Sequence, residues 1–355
     1  MKRIYVTLAE RVDRPSDSPA DVGELVVLDW ETKSVLRRVP IASGQEVKAG
    51  RSRGATGIAW HEGSIYVSCQ QGLAIVNPYN YRVERVYPID KLGIPGGLHQ
   101  IKSRGEELFI VCTAGDSLAV MQKERIVRLE QLSPSGKDEL HFNSIAWDAQ
   151  GEEHHLYMSD KRSPGRRKRT RSRIINKFTG QEVHTGLGHL PHDLVFLDDT
   201  RLLYCASGDG DLWLLNPIAG GREVVFHRPI ASDPGGTYRL RGLMRGLAYN
   251  PRGSSVFIGL APGTVCEIGT EKWELKEEMA FELGSKSAVY DILLDPRDWD
   301  QPYSRRWVPA KATAAAQENL LASIRPFKLP VELPRYRRAV WRWRQLWQRI
   351  KGKRR

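Results

Sequence analysis

Cysteine is scarce in this sequence and never paired. Four occur in 355 residues, at positions 69, 112, 205 and 266, and no CxxC pair exists. Neither a zinc site nor a disulfide framework is indicated, and the thiols read as small buried residues in a reducing compartment. Long apolar runs are missing too, so no stretch suits a bilayer crossing. The start, Met1-Lys2-Arg3-Ile4-Tyr5-Val6-Thr7, lacks the apolar centre and cleavage site of a signal peptide and reads as a strand. There is no P-loop and no serine-centred nucleophile elbow. Gly208-Asp209-Gly210-Asp211 and Pro234-Gly235-Gly236 stand outside any strand-to-helix context and read as hairpin turns rather than phosphate cradles. These absences point to a cytoplasmic chain, soluble or peripheral at a membrane.

Acidic residues are nearly absent from two segments that hold the positive charge. The chain carries a formal +12, of which +10 lies between Pro326 and Arg355. The run from Lys161 to Arg173 adds eight Lys/Arg and no acid, which leaves the rest at −6. The body is therefore no basic clamp for nucleic acid, and the basicity belongs to two appendages.

What is present is repetition. A polar residue, a second small or polar residue and an apolar stretch recur at Thr56-Gly57-Ile58, His99-Gln100-Ile101, Asn143-Ser144-Ile145, His192-Asp193-Leu194, Arg245-Gly246-Leu247 and Tyr290-Asp291-Ile292. The apolar member recurs at spacings of 43, 44, 49, 53 and 45 residues, the length of a four-stranded propeller blade. A turn and a β-rich strand follow the motif, as in Ile65-Tyr66-Val67 and Val256-Phe257-Ile258, and further strands complete the repeat. The last motif lacks following strands, while the N-terminus supplies strands at 4–8, 25–29 and 34–39 with no motif before them. Pairing the two ends completes the last blade and hides the edges an open sheet would leave. The predicted fold is all-β: a six-bladed β-propeller over 1–300, closed by the N-terminal strands on the last inner strand. A helix and Pro-containing connector over 301–333 and a basic, Trp-rich helical tail over 334–355 follow it.

On these motifs the chain resembles six-bladed propellers of the NHL and strictosidine-synthase, gluconolactonase and paraoxonase type. The resemblance implies the fold and no function by itself. Calcium-dependent members hold a metal on the propeller axis with acidic and Asn side chains. Here Asn143 alone matches in type, and no Glu occupies a motif.

Equivalent positions in a propeller lie at equivalent depths around its axis. His99, His192, Arg245 and Tyr290 are thus expected at the mouth of the central channel, where His and Tyr can move protons and Arg can clamp an anion. Thr56, Gln100, Asn143, Asp193 and Asp291 are expected beside them as ligand-binding residues. The carboxylates can orient the histidines or hold a cation, which leaves a divalent metal in the channel open as a cofactor. The same polar residues equally suit hydrogen bonds that tie neighbouring blades together. His141, His154 and His155 read as surface or turn residues. The expected function is to bind, and perhaps transform, a small polar or anionic molecule such as a sugar derivative. The competing reading is a non-catalytic scaffold. Its tail would place Arg338, Arg342, Trp343, Arg344, Trp347 and Arg349 against an anionic membrane or a partner protein. The basic run at 161–173 reads as a loop that either contacts an anionic partner or is merely solvated.

Overall fold

The computed structural model describes residues 1–11, 20–47, 52–158, 172–230, 242–281 and 287–299. The connector, the tail with its six predicted contact residues, and positions 161–171 of the basic run lie outside these described residues; the last residue of that run, Arg173, is not in a loop but begins a strand.

The described chain is almost entirely β. The first strands are β1 (Arg3–Arg11), β2 (Ala20–Asp29) and β3 (Ser34–Glu46). Next come β4 (Ser52–His61), β5 (Ser64–Cys69), β6 (Gly72–Val76) and β7 (Val83–Pro88), a short helix α1 (Ile89–Leu92), and β8 (Leu98–Arg104), β9 (Glu107–Cys112), β10 (Ser117–Gln122) and β11 (Arg125–Gln131). A fourth set is β12 (Phe142–Trp147), β13 (Glu153–Tyr157), β14 (Arg173–Asn176) and β15 (Glu182–Thr185); a fifth is β16 (Pro191–Asp198), β17 (Arg201–Ala206), β18 (Asp211–Leu215) and β19 (Arg222–His227). The chain then forms β20 (Met244–Asn250), β21 (Ser255–Leu260), β22 (Thr264–Gly269), β23 (Leu275–Ala280) and β24 (Ser287–Leu294).

These strands form four four-stranded antiparallel sheets and one sheet of eight. The larger sheet has two halves. In the closing half, β24 from the far end of the chain pairs with β1, with Ile4 opposite Leu294 and Val6 opposite Ile292, and β1 continues to β2 and β3. The second half is β4 to β7. Ala9, Glu10 and Arg11 run past the closing half to pair with Gly54, Arg53 and Ser52 of β4, which fuses the halves into one hydrogen-bonded sheet. The third N-terminal strand continues to Glu46, well beyond the expected end at 39.

The core explains why the units stack. The closing half shares a buried cluster with the β20–β23 sheet, including Val6, Phe257 and Ile292, and another with β4–β7, including Tyr5, Ile58 and Ile65. Further clusters join β4–β7 to β8–β11, β8–β11 to β12–β15, β12–β15 to β16–β19, and β16–β19 to β20–β23. Every unit buries both faces against its two neighbours, and the succession returns to its start: a propeller-like arrangement. Innermost strands are correspondingly apolar and buried, as in β12, whereas outer strands such as β7 and β11 are largely exposed. All four cysteines are buried in this core.

The closing seam is locked by the segment after β24. Arg3 donates to Asp298 through Nε at 2.6 Å and Nη2 at 2.8 Å. Buried Asp295 accepts from the Tyr5 hydroxyl at 2.6 Å and from Arg297 Nη2 at 2.6 Å. Trp299 Nε1 donates to the Arg3 carbonyl at 2.8 Å.

Candidate functional site

The six motif pairs sit on the innermost strands β4, β8, β12, β16, β20 and β24, and neighbouring units use them differently. On β8, β16 and β24 the second residue reaches into the next unit as an acceptor. Gln100 Oε1 accepts from Ile145 N at 3.0 Å and Ser144 Oγ at 2.7 Å. Asp193 Oδ2 accepts from Gly246 N at 3.0 Å, and Asp291 Oδ2 from Ile58 N at 3.2 Å. The receiving units carry Gly57, Ser144 and Gly246 at the matching position. A Cβ on Gly57 would lie 2.3 Å from the His99 carbonyl oxygen, so the close approach of β4 to β8 requires glycine there.

The first residues alternate in the opposite phase. On β4, Thr56 Oγ1 donates to the Leu98 carbonyl at 2.7 Å, and on β12, Asn143 Nδ2 donates to the Pro191 carbonyl at 3.0 Å. Each thereby ties its unit to the backbone just before the next motif. On the other three units, the first residues are His99, His192 and Tyr290, and their rings converge. The centroid of His99 lies 6.1 Å from that of His192 and 6.4 Å from that of Tyr290. Arg245 completes the group. Its Nη2 donates to His192 Nε2 at 2.7 Å, and its guanidinium carbon stacks 4.2 Å from the centre of the Tyr290 ring. The structure thus gathers His99, His192, Arg245 and Tyr290, and places Thr56, Gln100, Asn143, Asp193 and Asp291 in contacts between units.

Two nearby residues carried no usable sequence signal. His141, in a left-handed conformation just before β12, sets its ring 6.0 Å from that of His99 and pairs with Asp138. Lys102, three positions beyond His99, lies close enough to Asp193 and Asp291 to favour both in their charged forms. His154 and His155, expected at the surface, are buried on β13. Asp148 accepts at His154 Nε2, and Tyr157 and Glu153 engage both nitrogens of His155. Local partners let these rings leave water.

The electrostatics of this group are fixed by burial. His192 is only 4% exposed. Burial, then the neighbouring Arg245, hold it well below the usual histidine range. Its hydrogen bonds agree with a neutral ring: Nδ1 donates to the Leu190 carbonyl at 2.7 Å, and Nε2 accepts from Arg245. With both nitrogens engaged, His192 offers no free ligand atom to a metal in this arrangement. Arg245 forms no ion pair among the described residues, and its Nε is buried without a partner. Desolvation pushes Asp193 up against the pull of Arg245 and then Lys102, and pushes Asp291 up to about 7 against the pull of Lys102. Among the described residues, the one cluster spaced for a metal ion is Asp148, Glu152 and His154, within 4.8 Å of one another. It belongs to the β12–β13 hairpin, where Asp148 Oδ1 caps Glu152 N at 2.8 Å.

No family model and no curated protein matches the chain. Among solved structures it is similar to a protein of unknown function from Bacteroides caccae, with 13% identity and a TM-score of 0.52 over 82% of this chain and 97% of that one. It is also similar to a chain of the nidogen/laminin complex, with 13% identity and a TM-score of 0.52 over 81% and 97%. The WD40 β-propeller domain of Doa1 aligns at 12% identity with a TM-score of 0.48, over 85% of this chain and 99% of that one. At such identities the likeness shows the fold alone, a β-propeller-like repeat structure.

Proposed function

We propose that this protein is a six-bladed propeller that binds a small anionic ligand, a carboxylate, at the mouth of its channel. The count takes the eight-stranded sheet as two adjoining blades, since only three residue pairs join its halves, and six is the blade number of the NHL and strictosidine-synthase type that the motifs resemble. The observation that carries the binding reading is Arg245. A half-buried guanidinium is held in place by a neutral imidazole and an aromatic face, with no carboxylate among the described residues hydrogen-bonded to it, the buried Asp193 acting on it only at longer range. A partly desolvated cation with no carboxylate hydrogen-bonded to it gains from an incoming anion that reaches it directly. His99 and Tyr290 flank the anion, while His192 orients Arg245 rather than moving protons. This arrangement supports binding and calls for no metal.

Titrating the full-length protein with propionate, followed by NMR, tests the reading. Saturable binding that Arg245→Leu weakens at least about tenfold is expected, since one charge-assisted hydrogen bond contributes that much or more. Equal binding by the variant, or none by the wild type, sinks it.

A second reading rests on the charge distribution: a net +10 in 30 residues, beside tryptophans at 341, 343 and 347. Such a tail suits an anionic membrane surface, at about 1 kcal/mol per basic residue near the bilayer. Co-sedimentation of the full chain and a 1–325 truncation with anionic vesicles at low salt tests it. Equal sedimentation of the two proteins removes it.

A further inference from the structure

Buried polar atoms without partners are few in folded proteins, and each costs about 1–3 kcal/mol. Three of those in this protein fall on the motif pairs: Asn143 Oδ1, Gln100 Nε2 and Arg245 Nε. Asn143 and Gln100 are each 3% exposed. In both, the other amide atom already does the work expected from the repeat. Asn143 Nδ2 donates to the Pro191 carbonyl just as Thr56 Oγ1 donates to the Leu98 carbonyl. Gln100 Oε1 accepts from Ile145 N just as Asp291 Oδ2 accepts from Ile58 N. These partners also fix which amide atom is oxygen. Tying the units together thus needs only one polar atom at each position, and the chain carries a second.

Asn143 and Arg245 occupy the same motif position, on the units either side of the one that carries His192. The spare acceptor and the cationic donor therefore lie at matching depth around the channel. A bare carboxylate satisfies the donor Arg245 Nε and leaves Asn143 Oδ1 unmatched. From this juxtaposition we infer that the ligand is a small carboxylic acid that also carries a hydrogen-bond donor, a hydroxyl or an N–H, which Asn143 Oδ1 accepts. The inference rests on the anion-binding reading above and adds a second recognised group to it. A site built to pair with a ligand donor rejects the analogue that lacks it more strongly than an apolar site rejects a missing methylene.

The repeat itself supplies the discriminating variant. Asn143→Thr places at 143 the residue found at 56, which keeps a hydroxyl for the Pro191 carbonyl and removes the spare acceptor. The probes are propionate, lactate and lactamide, with alanine as the N–H counterpart of lactate. Each is titrated by NMR into the full-length wild type and the variant, with thermal unfolding of both as a check on folding. For the wild type, lactate or alanine is expected to bind at least about tenfold tighter than propionate, since one buried hydrogen bond is gained, and lactamide more weakly than lactate. Whichever of lactate and alanine binds tighter identifies the donor. In Asn143→Thr, with unfolding unchanged, the preference over propionate should fall to about onefold. Equal wild-type affinity for propionate, lactate and alanine overturns the inference and leaves carboxylate binding at Arg245 standing. A preference that survives in the folded variant overturns the role of Asn143. Should the threonine variant unfold, Asn143→Ser replaces it, since it too keeps a hydroxyl for the Pro191 carbonyl and removes the spare acceptor. An unchanged ligand preference there overturns the inference. Failure of every probe to bind the wild type overturns both readings.

Discussion

Strand β24 carries Tyr290 near one end and leads into Asp295 at the other, and the two ends treat arginine in opposite ways. At the closing seam, Arg3 and Arg297 are both paired. Asp298 meets Arg3 through two hydrogen bonds, and Asp295 takes Arg297 and Tyr5. At the motif group, Arg245 is held by a neutral ring and an aromatic face and is hydrogen-bonded to no carboxylate among the described residues. A satisfied charge network serves to hold the fold, and the chain has no further use for its polar atoms. A cation held without a hydrogen-bonded carboxylate contributes less to stability than one inside a satisfied network.

Breaking the satisfied end should have the largest effect. Asp295→Asn leaves the partly buried Arg297 without its carboxylate, takes from Arg3 the second of its two carboxylates, and leaves Asp298 in place. Urea denaturation should show a loss of about 3 kcal/mol or more, with anion binding unchanged in whatever fraction stays folded. A loss below about 0.5 kcal/mol would make the seam no stronger than an exposed ion pair.

The next effect is on the dependence of stability on pH. Asp291 is pushed up to about 7, mainly by burial, from an ordinary value of 3.8. A carboxylate whose folded value lies above its unfolded one binds its proton more tightly when folded. Its contribution is fully present below the unfolded value and lost as pH rises through about 7. Stability should therefore fall between about pH 4 and 7. Asp291→Asn should flatten that part of the curve, because its amide oxygen can still accept from Ile58 N. An unchanged slope would assign the effect to Asp193, which is shifted in the same direction.

The smallest effect sharpens the contrast at the mouth. His192→Gln can keep an acceptor for Arg245, whereas His192→Phe cannot. Both should fold, and propionate affinity should fall about tenfold more in the phenylalanine variant. Equal losses would mean that His192 only fills space.

The repeat was legible because each innermost strand must bury apolar residues toward the neighbouring units, which places Ile58, Ile101 and their counterparts at a near-constant spacing. The closing of the ring followed from complementary gaps at the two termini, and β24 does pair with β1. The fusion of two units into one sheet was not legible, because it depends on how far β1 runs past its partner. The gathering of His99, His192, Arg245 and Tyr290 was visible as composition at one motif position. The alternation was not, since Thr56 and Asn143 are as polar as their neighbours and differ only in the carbonyl they reach. Lys102 and His141 escaped because they lie outside the motif, where a charge or a ring in a loop ordinarily faces water. His154 and His155 misled because the flanking glutamates suggest an exposed hairpin, while Asp148 and Glu153 supply the partners that make burial tolerable.

The pairing of β1 with β24 also sets an order of events during synthesis. Tyr5 and Asp295 are 290 positions apart, so β1 waits for nearly the whole β domain to leave the ribosome before its inner partner exists. Until then Ile4, Val6 and Leu8 present an apolar strand with an open edge, the kind of surface that pairs with the wrong chain. Closure is thus the contact of highest sequence separation and should be late and slow. A nascent chain stalled before residue 287 should be more prone to aggregation than the finished protein.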